Sequence, residues 1–222
     1  MDGFFRYQSK KYNDSLLRSG NLRIGTLYDF RKSEHKRGVA DSYEGKKFVS
    51  HKIDSFSSED NDPVGRKALT DFGMGDFSNC DGLGFRIQGS GSLTLRQNVE
   101  SQDCFILSLS AVCSSKVFAQ LEGSETCVEI IKPQGFIARL TKAITTKVLV
   151  KYHGIHAVEY TDADEVWNQQ DWGGAPVTKK RTKFSGQYEL RAIWTPVNTV
   201  EIEPLIIDDK KLTKCVRECL IR

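Results

Sequence analysis

The order of apolar and polar residues along this chain predicts many short strands. Where the two kinds of residue alternate, every second side chain lies on the same face, as in a sheet with one buried face. A short apolar run, such as residues 105–111, is typical of a buried strand. The predicted strands are residues 4–9, 21–27, 46–53, 85–88, 92–96, 105–111, 127–131, 148–152, 156–160, 188–194 and 200–206.

Helical segments are fewer, and one of them has recognisable ends. Asn13 or Asp14 can cap a first short helix, and Gly20 can end it. Residues 135–145 show the periodicity of an amphipathic helix. The predicted helices are residues 16–19, 63–72, 117–121, 135–145 and 209–220.

These elements favour an α+β fold over a wound parallel sheet, because the strands do not alternate strictly with helices. We expect mixed, mostly antiparallel sheets with a few flanking helices. The chain has 222 residues, which suits one domain with a sizeable core. Since no internal repeat or linker divides the chain, the sequence predicts a single domain over residues 1–222.

Charge and hydropathy exclude little except a membrane protein. The net charge of +3 and the pI of about 8.5 permit contact with nucleic acid but do not demand it. No apolar run approaches the roughly 18 residues that a membrane helix needs. The N-terminus lacks a basic segment followed by an apolar one, so no signal peptide is predicted. We therefore expect a cytoplasmic protein with no membrane partner.

The cysteines and histidines form no recognisable metal motif. No Cys-x-x-Cys pair is present, which excludes the zinc-ribbon pattern, and the four histidines make no ligand array. Cys215 and Cys219 are one helical turn apart and can bind a metal only with outside ligands, so core packing is favoured. We expect reduced thiols and no metal, as is usual in the cytosol. The cysteines are Cys80, Cys104, Cys113, Cys127, Cys215 and Cys219.

The segment around Gln187 and Glu189 is the strongest candidate for chemistry. Phe184 precedes a glycine turn, and Gln-x-Glu then runs into the largely apolar segment of residues 190–194. Alternate residues of a strand share a face, so Gln187 and Glu189 should point the same way, about 6–7 Å apart. The carboxylate can stabilise a developing cation, and the amide can orient an acceptor. The alternative interpretation is a polar strand edge exposed to solvent.

Two further segments carry polar residues that complement this pair. Arg6 and Tyr7 lie in the short first strand, and Ser108 and Ser110 lie on one face of a later strand. In order, the chain offers an arginine among aromatic residues, then Ser-x-Ser, then an aromatic residue followed by Gln-x-Glu. This order resembles the Arg-Ser-Glu class of mono-ADP-ribosyltransferases, which includes the clostridial Rho-modifying exoenzymes and the pierisin-like toxins. The middle motif departs from the family's Ser-Thr-Ser, because Leu109 stands at its centre.

The resemblance implies an ADP-ribosyltransferase-like domain that uses NAD as its substrate and needs no metal. The reaction breaks the bond between nicotinamide and ribose, and charge builds on the sugar as an oxocarbenium ion. Arg6, with Tyr7 beside it, would contact the NAD phosphates, because the planar guanidinium grips phosphate oxygens. Ser108 and Ser110 would bond a ribose or position the catalytic carboxylate.

The same resemblance assigns catalysis to Glu189 and Gln187. Glu189 would hydrogen-bond the ribose 2′-hydroxyl and stabilise the cation, and Gln187 would orient the acceptor. In the family, a glutamine two residues before the catalytic glutamate accompanies acceptors other than arginine, including asparagine and nucleobases.

A basic and aromatic region before this motif is the predicted acceptor-binding surface. Lys180 and Arg181 directly precede Phe184, and Trp167 and Trp172 lie upstream in a segment that looks exposed. Basic residues interleaved with aromatic ones suit single-stranded nucleic acid. The alternative is a solvated loop whose aromatic side chains fold onto the core. The acceptor is therefore expected to be RNA, DNA or a protein side chain.

A second resemblance spans most of the chain with looser motifs. Residues 22–30, the serine strand and a late Lys…Glu-x-Arg segment look like a large set of uncharacterised bacterial proteins, some linked to abortive infection and phage defence. This implies a toxin-like transferase inside a bacterial cell, with a neutralising antitoxin or chaperone as partner. The competing class is a non-catalytic module that binds nucleic acid or a partner. A nuclease ranks last, because the sequence has no compact Asp/Glu/His cluster for a metal.

Overall fold

The computed structural model describes residues 3–32, 41–54, 56–57, 62–74, 88–89, 92–162, 164–198 and 200–220. The chain divides into two compact units. The first comprises Met1–Gly45, Ser101–Asp162 and Val177–Arg222, and the second comprises Lys46–Glu100 and Ala163–Pro176. The expectation of a single domain stays a prediction.

Short strands dominate the described residues. The α-helices there are α1 (Lys10–Ser19), α2 (Pro63–Asp71), α3 (Ser115–Gln120) and α4 (Pro133–Thr145). The strands there are β1 (Phe5–Gln8), β2 (Asn21–Thr26), β3 (Lys46–Ile53), β4 (Phe56–Ser57), β5 (Gln88–Gly89), β6 (Leu93–Glu100), β7 (Phe105–Ser110), β8 (Thr126–Ile130), β9 (Val150–Ala157), β10 (Glu159–Tyr160), β11 (Glu165–Val166), β12 (Lys179–Lys180), β13 (Glu189–Pro196), β14 (Leu205–Asp208) and β15 (Val216–Cys219). Short 3-10 helices lie at Asp29–Arg31, Pro176–Thr178, Thr182–Gln187 and Lys210–Cys215. The predicted α+β class with mostly antiparallel sheets is confirmed.

The first unit is built on an antiparallel sheet around β7. One edge of β7 pairs along its length with β13, from Ser110 opposite Glu189 to Phe105 opposite Trp194, and β13 also pairs with β9. The other edge of β7 has two partners. Strand β2 pairs with Phe105 and Ile106 at the start of β7, and β1 pairs with Ser110 at its end. From β1 the sheet continues through β8 to β15, and from β2 to β14. Since β1 and β2 join β7 at opposite ends, the sheet is split beside the middle of β7.

The two faces of β7 and β13 have different compositions. Leu107, Leu109, Leu190 and Trp194 are buried in an apolar core that also contains side chains of α4. The Trp194 indole donates a hydrogen bond to Thr141 Oγ1 of α4 at 2.8 Å. The strand period of two places the polar residues on the opposite face. These are Ser108, Ser110, Glu189 and Arg191.

Many of the predicted elements are confirmed with shifted ends. The strand over residues 188–194 is β13, and the helix over residues 135–145 is α4. Gly20 ends α1 with a left-handed φ of 76°, a conformation that favours glycine at this position. The strand predicted over residues 200–206 begins only at Leu205. The strand predicted over residues 92–96 is part of β6, whereas residues 85–87 lie outside the described residues.

The predicted helix over residues 209–220 is wrong. The chain forms a 3-10 helix at Lys210–Cys215 and then strand β15, which pairs with β8. In this pairing Val216 is buried and Arg217 contacts Glu129 at 2.8 Å. These tertiary contacts outweigh the local helix propensity.

The second unit contains β3 and β6, which pair antiparallel along their full lengths, and β11, which joins β3 in parallel. Its core is formed by Val49, Ile53, Leu69, Leu95 and Trp167, together with Ala68. None of the helices within the described ranges is both long enough and apolar enough to cross a membrane.

Candidate active site

A cavity of about 390 Å³ opens in the first unit, where β1 and β2 separate from β7. All six residues that the sequence assigned to catalysis and NAD contact line this cavity, although they come from three separate segments. They are Arg6, Tyr7, Ser108, Ser110, Gln187 and Glu189. The further polar lining residues are Gln8, Ser9, Tyr12, Arg23, Glu44, Glu122, Ser124, Lys180 and Arg191.

Glu189 is the centre of the hydrogen bonding in the cavity. Its Oε1 accepts hydrogen bonds from Ser108 Oγ and Arg191 Nε, both at 2.8 Å, and its Oε2 accepts one from Lys180 Nζ at 2.8 Å. The backbone N–H of Glu189 donates to the Tyr160 hydroxyl at 2.8 Å. Burial alone would raise the pKa of Glu189, but Arg191 and Lys180 outweigh burial and hold the pKa well below its ordinary value. The carboxylate is therefore ionised at neutral pH.

Arg191 connects Glu189 to a second buried carboxylate. The Arg191 guanidinium forms an ion pair with Glu44, and its Nη1 donates to the Val177 carbonyl at 2.6 Å. Burial acts to lower the pKa of Arg191, but Glu189 and Glu44 raise it above its ordinary value. Burial raises the pKa of Glu44, and Arg191 and Lys180 oppose that rise. Two carboxylates and two cations thus balance one another.

Gln187 and Glu189 converge by a route that the sequence did not predict. Gln187 is the last residue of a 3-10 helix, Tyr188 has a left-handed φ of 47°, and β13 begins only at Glu189. The expectation that the pair shares one face of a strand is therefore wrong. The two side chains meet at Lys180 instead, because Lys180 Nζ donates to Gln187 Oε1 at 3.0 Å and also to Glu189 Oε2.

Burial excludes one interpretation of this motif. Gln187 is 4% exposed and Glu189 is 6% exposed. A polar strand edge in solvent is therefore excluded for these two side chains.

Arg6 differs from the other buried cations of the cavity. Its Nη1 donates to the neutral amide oxygen of Asn13 at 2.9 Å. Within the described part of the chain, no carboxylate forms an ion pair with Arg6, and burial lowers its pKa to about 10. Arg6 is thus still protonated at neutral pH. A buried positive charge of this kind is costly unless an anion accompanies it, so the cavity suits an anionic ligand.

Tyr7 and Ser110 hold the segment that follows β7. The Tyr7 hydroxyl donates to the Val112 carbonyl at 3.0 Å and accepts from the Ser114 N–H at 2.8 Å. The Ser110 hydroxyl lies 2.9 Å from the Gln187 carbonyl oxygen and 3.0 Å from that of Val112. These two hydroxyls position the wall of the cavity, and their contact with NAD stays a prediction.

The residues predicted to bind an acceptor have different surroundings in the structure. Lys180 is buried and lies inside the cavity, and Phe184 is buried with the Lys180 ammonium 4.7 Å from its ring centroid. Arg181 forms an ion pair with the buried Asp41. Trp172 belongs to the second unit and packs against its core. Their part in binding an acceptor stays a prediction.

The exposed aromatic side chain of this motif is Tyr188. It is 53% exposed and separates Gln187 from Glu189 in the chain. The expectation that Trp167 and Phe184 are exposed is wrong, since both are buried.

Sequence reasoning assigned no role to Arg191, Glu44 or Tyr160. The Glu-x-Arg spacing was a usable signal for Arg191, because alternate residues of β13 share a face with Glu189. Glu44 and Tyr160 reach the site from distant segments, and no local pattern marks them.

Comparison with protein-family models, with curated proteins and with solved structures finds no match.

Proposed function

We propose that this protein is a mono-ADP-ribosyltransferase that transfers ADP-ribose from NAD to a macromolecular target. The observation that carries the proposal is the meeting of Arg6, Ser108 and Glu189 in one cavity, on the adjacent strands β1, β7 and β13. These residues come from motifs far apart in the chain. No contact between neighbouring residues of the chain brings them together, so their meeting depends on the tertiary fold.

Arg6 meets the first requirement of the reaction, which is to bind the pyrophosphate of NAD. Its guanidinium is charged and buried, and it is held by a neutral amide rather than by a carboxylate. A diphosphate would provide the missing negative charge and could accept two parallel hydrogen bonds.

Glu189 supplies the second requirement, which is negative charge beside the reacting sugar. When the bond between ribose and nicotinamide breaks, its electron pair leaves with nicotinamide and positive charge spreads over C1′ and the ring oxygen. A carboxylate that stays ionised stabilises this charge without rearranging, since Ser108 and Arg191 already orient it. The acceptor then bonds to C1′ and loses its proton.

The ion pairs that already neutralise Glu189 favour a second candidate function. Glu189 is already neutralised by Lys180 and Arg191, as a purely structural carboxylate would be. The alternative is therefore a non-catalytic module whose cavity binds a nucleotide or another anion through Arg6.

Turnover of NAD distinguishes the two candidates. The purified protein is incubated with NAD carrying a label on its adenosine moiety, with and without bacterial lysate, and released nicotinamide is measured. A transferase releases nicotinamide and deposits label in material that is sensitive to protease or to nuclease, which also identifies the acceptor class. If the folded protein binds NAD and releases no nicotinamide either with or without lysate, the binding module is the better interpretation.

The setting that we propose is a toxin-like activity in bacterial phage defence, supported by the looser resemblance of residues 22–30 and of the late Lys…Glu-x-Arg segment. Such a protein would be toxic when expressed alone and tolerated together with its antitoxin or chaperone. Equal growth of cells that express the wild type and Glu189→Gln would contradict toxicity.

Arg6→Ala should weaken NAD binding by about 10–100-fold, because a hydrogen bond to a charged group contributes roughly 1.5–3 kcal/mol. The folded state should lose little stability, since the substitution also removes a buried charge without an anionic partner. Calorimetric titration with NAD measures the affinity, and urea unfolding measures the stability.

Arg6→Lys is the matched control for this prediction. It keeps the charge but loses the planar guanidinium, so its affinity should fall between those of the wild type and Arg6→Ala. An unchanged affinity in Arg6→Ala would leave Arg6 with a structural role only.

Gln187→Ala should reduce transfer to the acceptor more than it reduces hydrolysis of NAD, because water can still attack C1′ when the acceptor is misplaced. The backbone contact between the Gln187 carbonyl and Ser110 remains in this variant, so the turn before Glu189 is retained. The measurement is the ratio of transferred label to released nicotinamide. An equal fall in both quantities would contradict an acceptor role for Gln187.

A further inference from the structure

Three cysteines meet at a place that the proposed function does not use. Cys113, Cys127 and Cys219 have sulfur atoms that all lie within 4.8 Å of one another, and Cys113 Sγ is 2.9 Å from Cys219 Sγ. Cys127 is buried, and the other two are half-buried. All three are free thiols.

The fold brings these thiols together from three separate segments. Cys127 on β8 lies directly opposite Cys219 on β15 in the antiparallel register. Cys113 lies in the segment after β7, which the Tyr7 hydroxyl holds through its hydrogen bonds to Val112 and Ser114 on either side. Tyr7 also lies opposite Cys127 in the register of β1 and β8. Strand pairing therefore sets the positions of Cys127 and Cys219, and the hydrogen bonds of Tyr7 hold Cys113 beside them.

We propose that Cys113, Cys127 and Cys219 form a three-thiolate site for a soft metal ion such as Zn²⁺, with a further ligand position left open. Sulfur ligands select soft or borderline ions, and zinc accepts three protein ligands plus an exchangeable fourth. Tetrahedral Zn–S bonds of about 2.3 Å place sulfurs about 3.8 Å apart. This spacing falls within the 4.8 Å that encloses the three sulfurs, and Cys113 Sγ and Cys219 Sγ, 2.9 Å apart, need only separate by about 1 Å to bind one ion. Each thiol that binds the ion releases its proton to solvent.

A disulfide explains the cluster less well. A disulfide joins two sulfurs at about 2.05 Å and leaves the third without a role. Convergence of three sulfurs therefore favours a metal ion over oxidation.

A bound ion would hold the wall of the cavity in place and would take no part in the reaction. It would join the segment after β7 to β8 and β15, and that segment is bonded to Tyr7 and Ser110 in the cavity wall. Metal loading should therefore stabilise the folded protein by mass action. The inference does not depend on NAD chemistry.

The test uses the full chain, reduced and stripped of metal with a chelator. Titration with Zn²⁺ by calorimetry, and with Cd²⁺ by its thiolate charge-transfer absorption, should show one ion per chain and a rise in Tm. Cys113→Ser and Cys219→Ser change half-buried positions, so both variants should fold. Each should weaken Zn²⁺ binding by about 100-fold or more. Loss of a residue that only hydrogen-bonds to a metal ligand already weakens binding by about 10–100-fold, and loss of a ligand itself should cost more.

Cys215→Ser is the matched control, because Cys215 is a free and buried thiol in a different part of the core. It should bind Zn²⁺ with the affinity of the wild type. The proposal is overturned if the reduced protein binds no stoichiometric ion, or if Cys113→Ser and Cys219→Ser bind as the wild type does. It is equally overturned if mass spectrometry finds a Cys113–Cys219 disulfide in a protein that binds no ion when reduced.

Discussion

Glu189→Gln should lower kcat/KM for ADP-ribosyl transfer by roughly a hundred-fold or more, the loss that follows removal of one preorganised electrostatic group. The substitution keeps the size of the side chain and its acceptor for Ser108, but it removes the negative charge beside C1′. The amide would also present N–H groups to a region that Lys180 and Arg191 already occupy with cations. Release of nicotinamide from labelled NAD is the measurement.

Loss of activity must be separated from loss of fold, since Glu189 neutralises two buried cations. Glu44→Gln is the matched variant for stability, because it removes an equally buried carboxylate from the same Arg191 without touching Ser108. If both variants are destabilised alike and only Glu189→Gln loses turnover, the loss is catalytic. Near-normal turnover in folded Glu189→Gln would remove Glu189 from the mechanism.

Arg191→Met should lower the free energy of unfolding by about 3–5 kcal/mol, because breaking a buried ion pair leaves uncompensated charge. Among the described residues, Lys180 would remain as the ion-pair partner of Glu189, while Glu44 would lose its ion pair with Arg191. Methionine retains much of the side-chain volume, so the loss reflects charge rather than a cavity. Urea unfolding at neutral pH measures it.

Arg217→Met is the control for this prediction. Arg217 also pairs with a glutamate, Glu129, but its side chain is 64% exposed. Such surface pairs contribute about 0–1 kcal/mol. Equal effects of the two substitutions would show that the ion pairs around Glu189 contribute no more than a surface pair.

The pH dependence of stability follows from the directions of the pKa shifts. The pKa of Glu189 is lower in the folded state than in the unfolded state, so its contribution is present above the unfolded value of about 4.3 and is lost as the pH falls further. The raised pKa of Glu44 has the opposite sign, since its ionised form is the unfavourable one in the fold. In Arg191→Met both carboxylates should take up protons more readily. The deficit of this variant should therefore shrink between pH 7 and pH 5.

Much of the site was predictable because it depends on strand periodicity. Ser108 and Ser110 share a face of β7, and Glu189 shares a face of β13 with Arg191, by the period of two alone. Apolar residues at the alternate positions then direct these polar side chains away from the core that α4 covers. The place of Lys180 was not predictable, because a run of basic residues suggests a solvated loop whereas this lysine is buried against Glu189.

Local pattern alone determined the α+β class, the amphipathic helix α4 and the polar face of β7 and β13, since each depends on the spacing of neighbouring residues. Tertiary structure alone decided that β15 is a strand, because its ladder partner β8 lies far away in the sequence. It also decided that Gln187 reaches Glu189 across a left-handed Tyr188, and that Glu44 and Tyr160 join the site. These contacts join segments that are far apart in the chain, and no periodic pattern in the sequence marks them. They form because strands pair and because buried charges of opposite sign must neutralise one another.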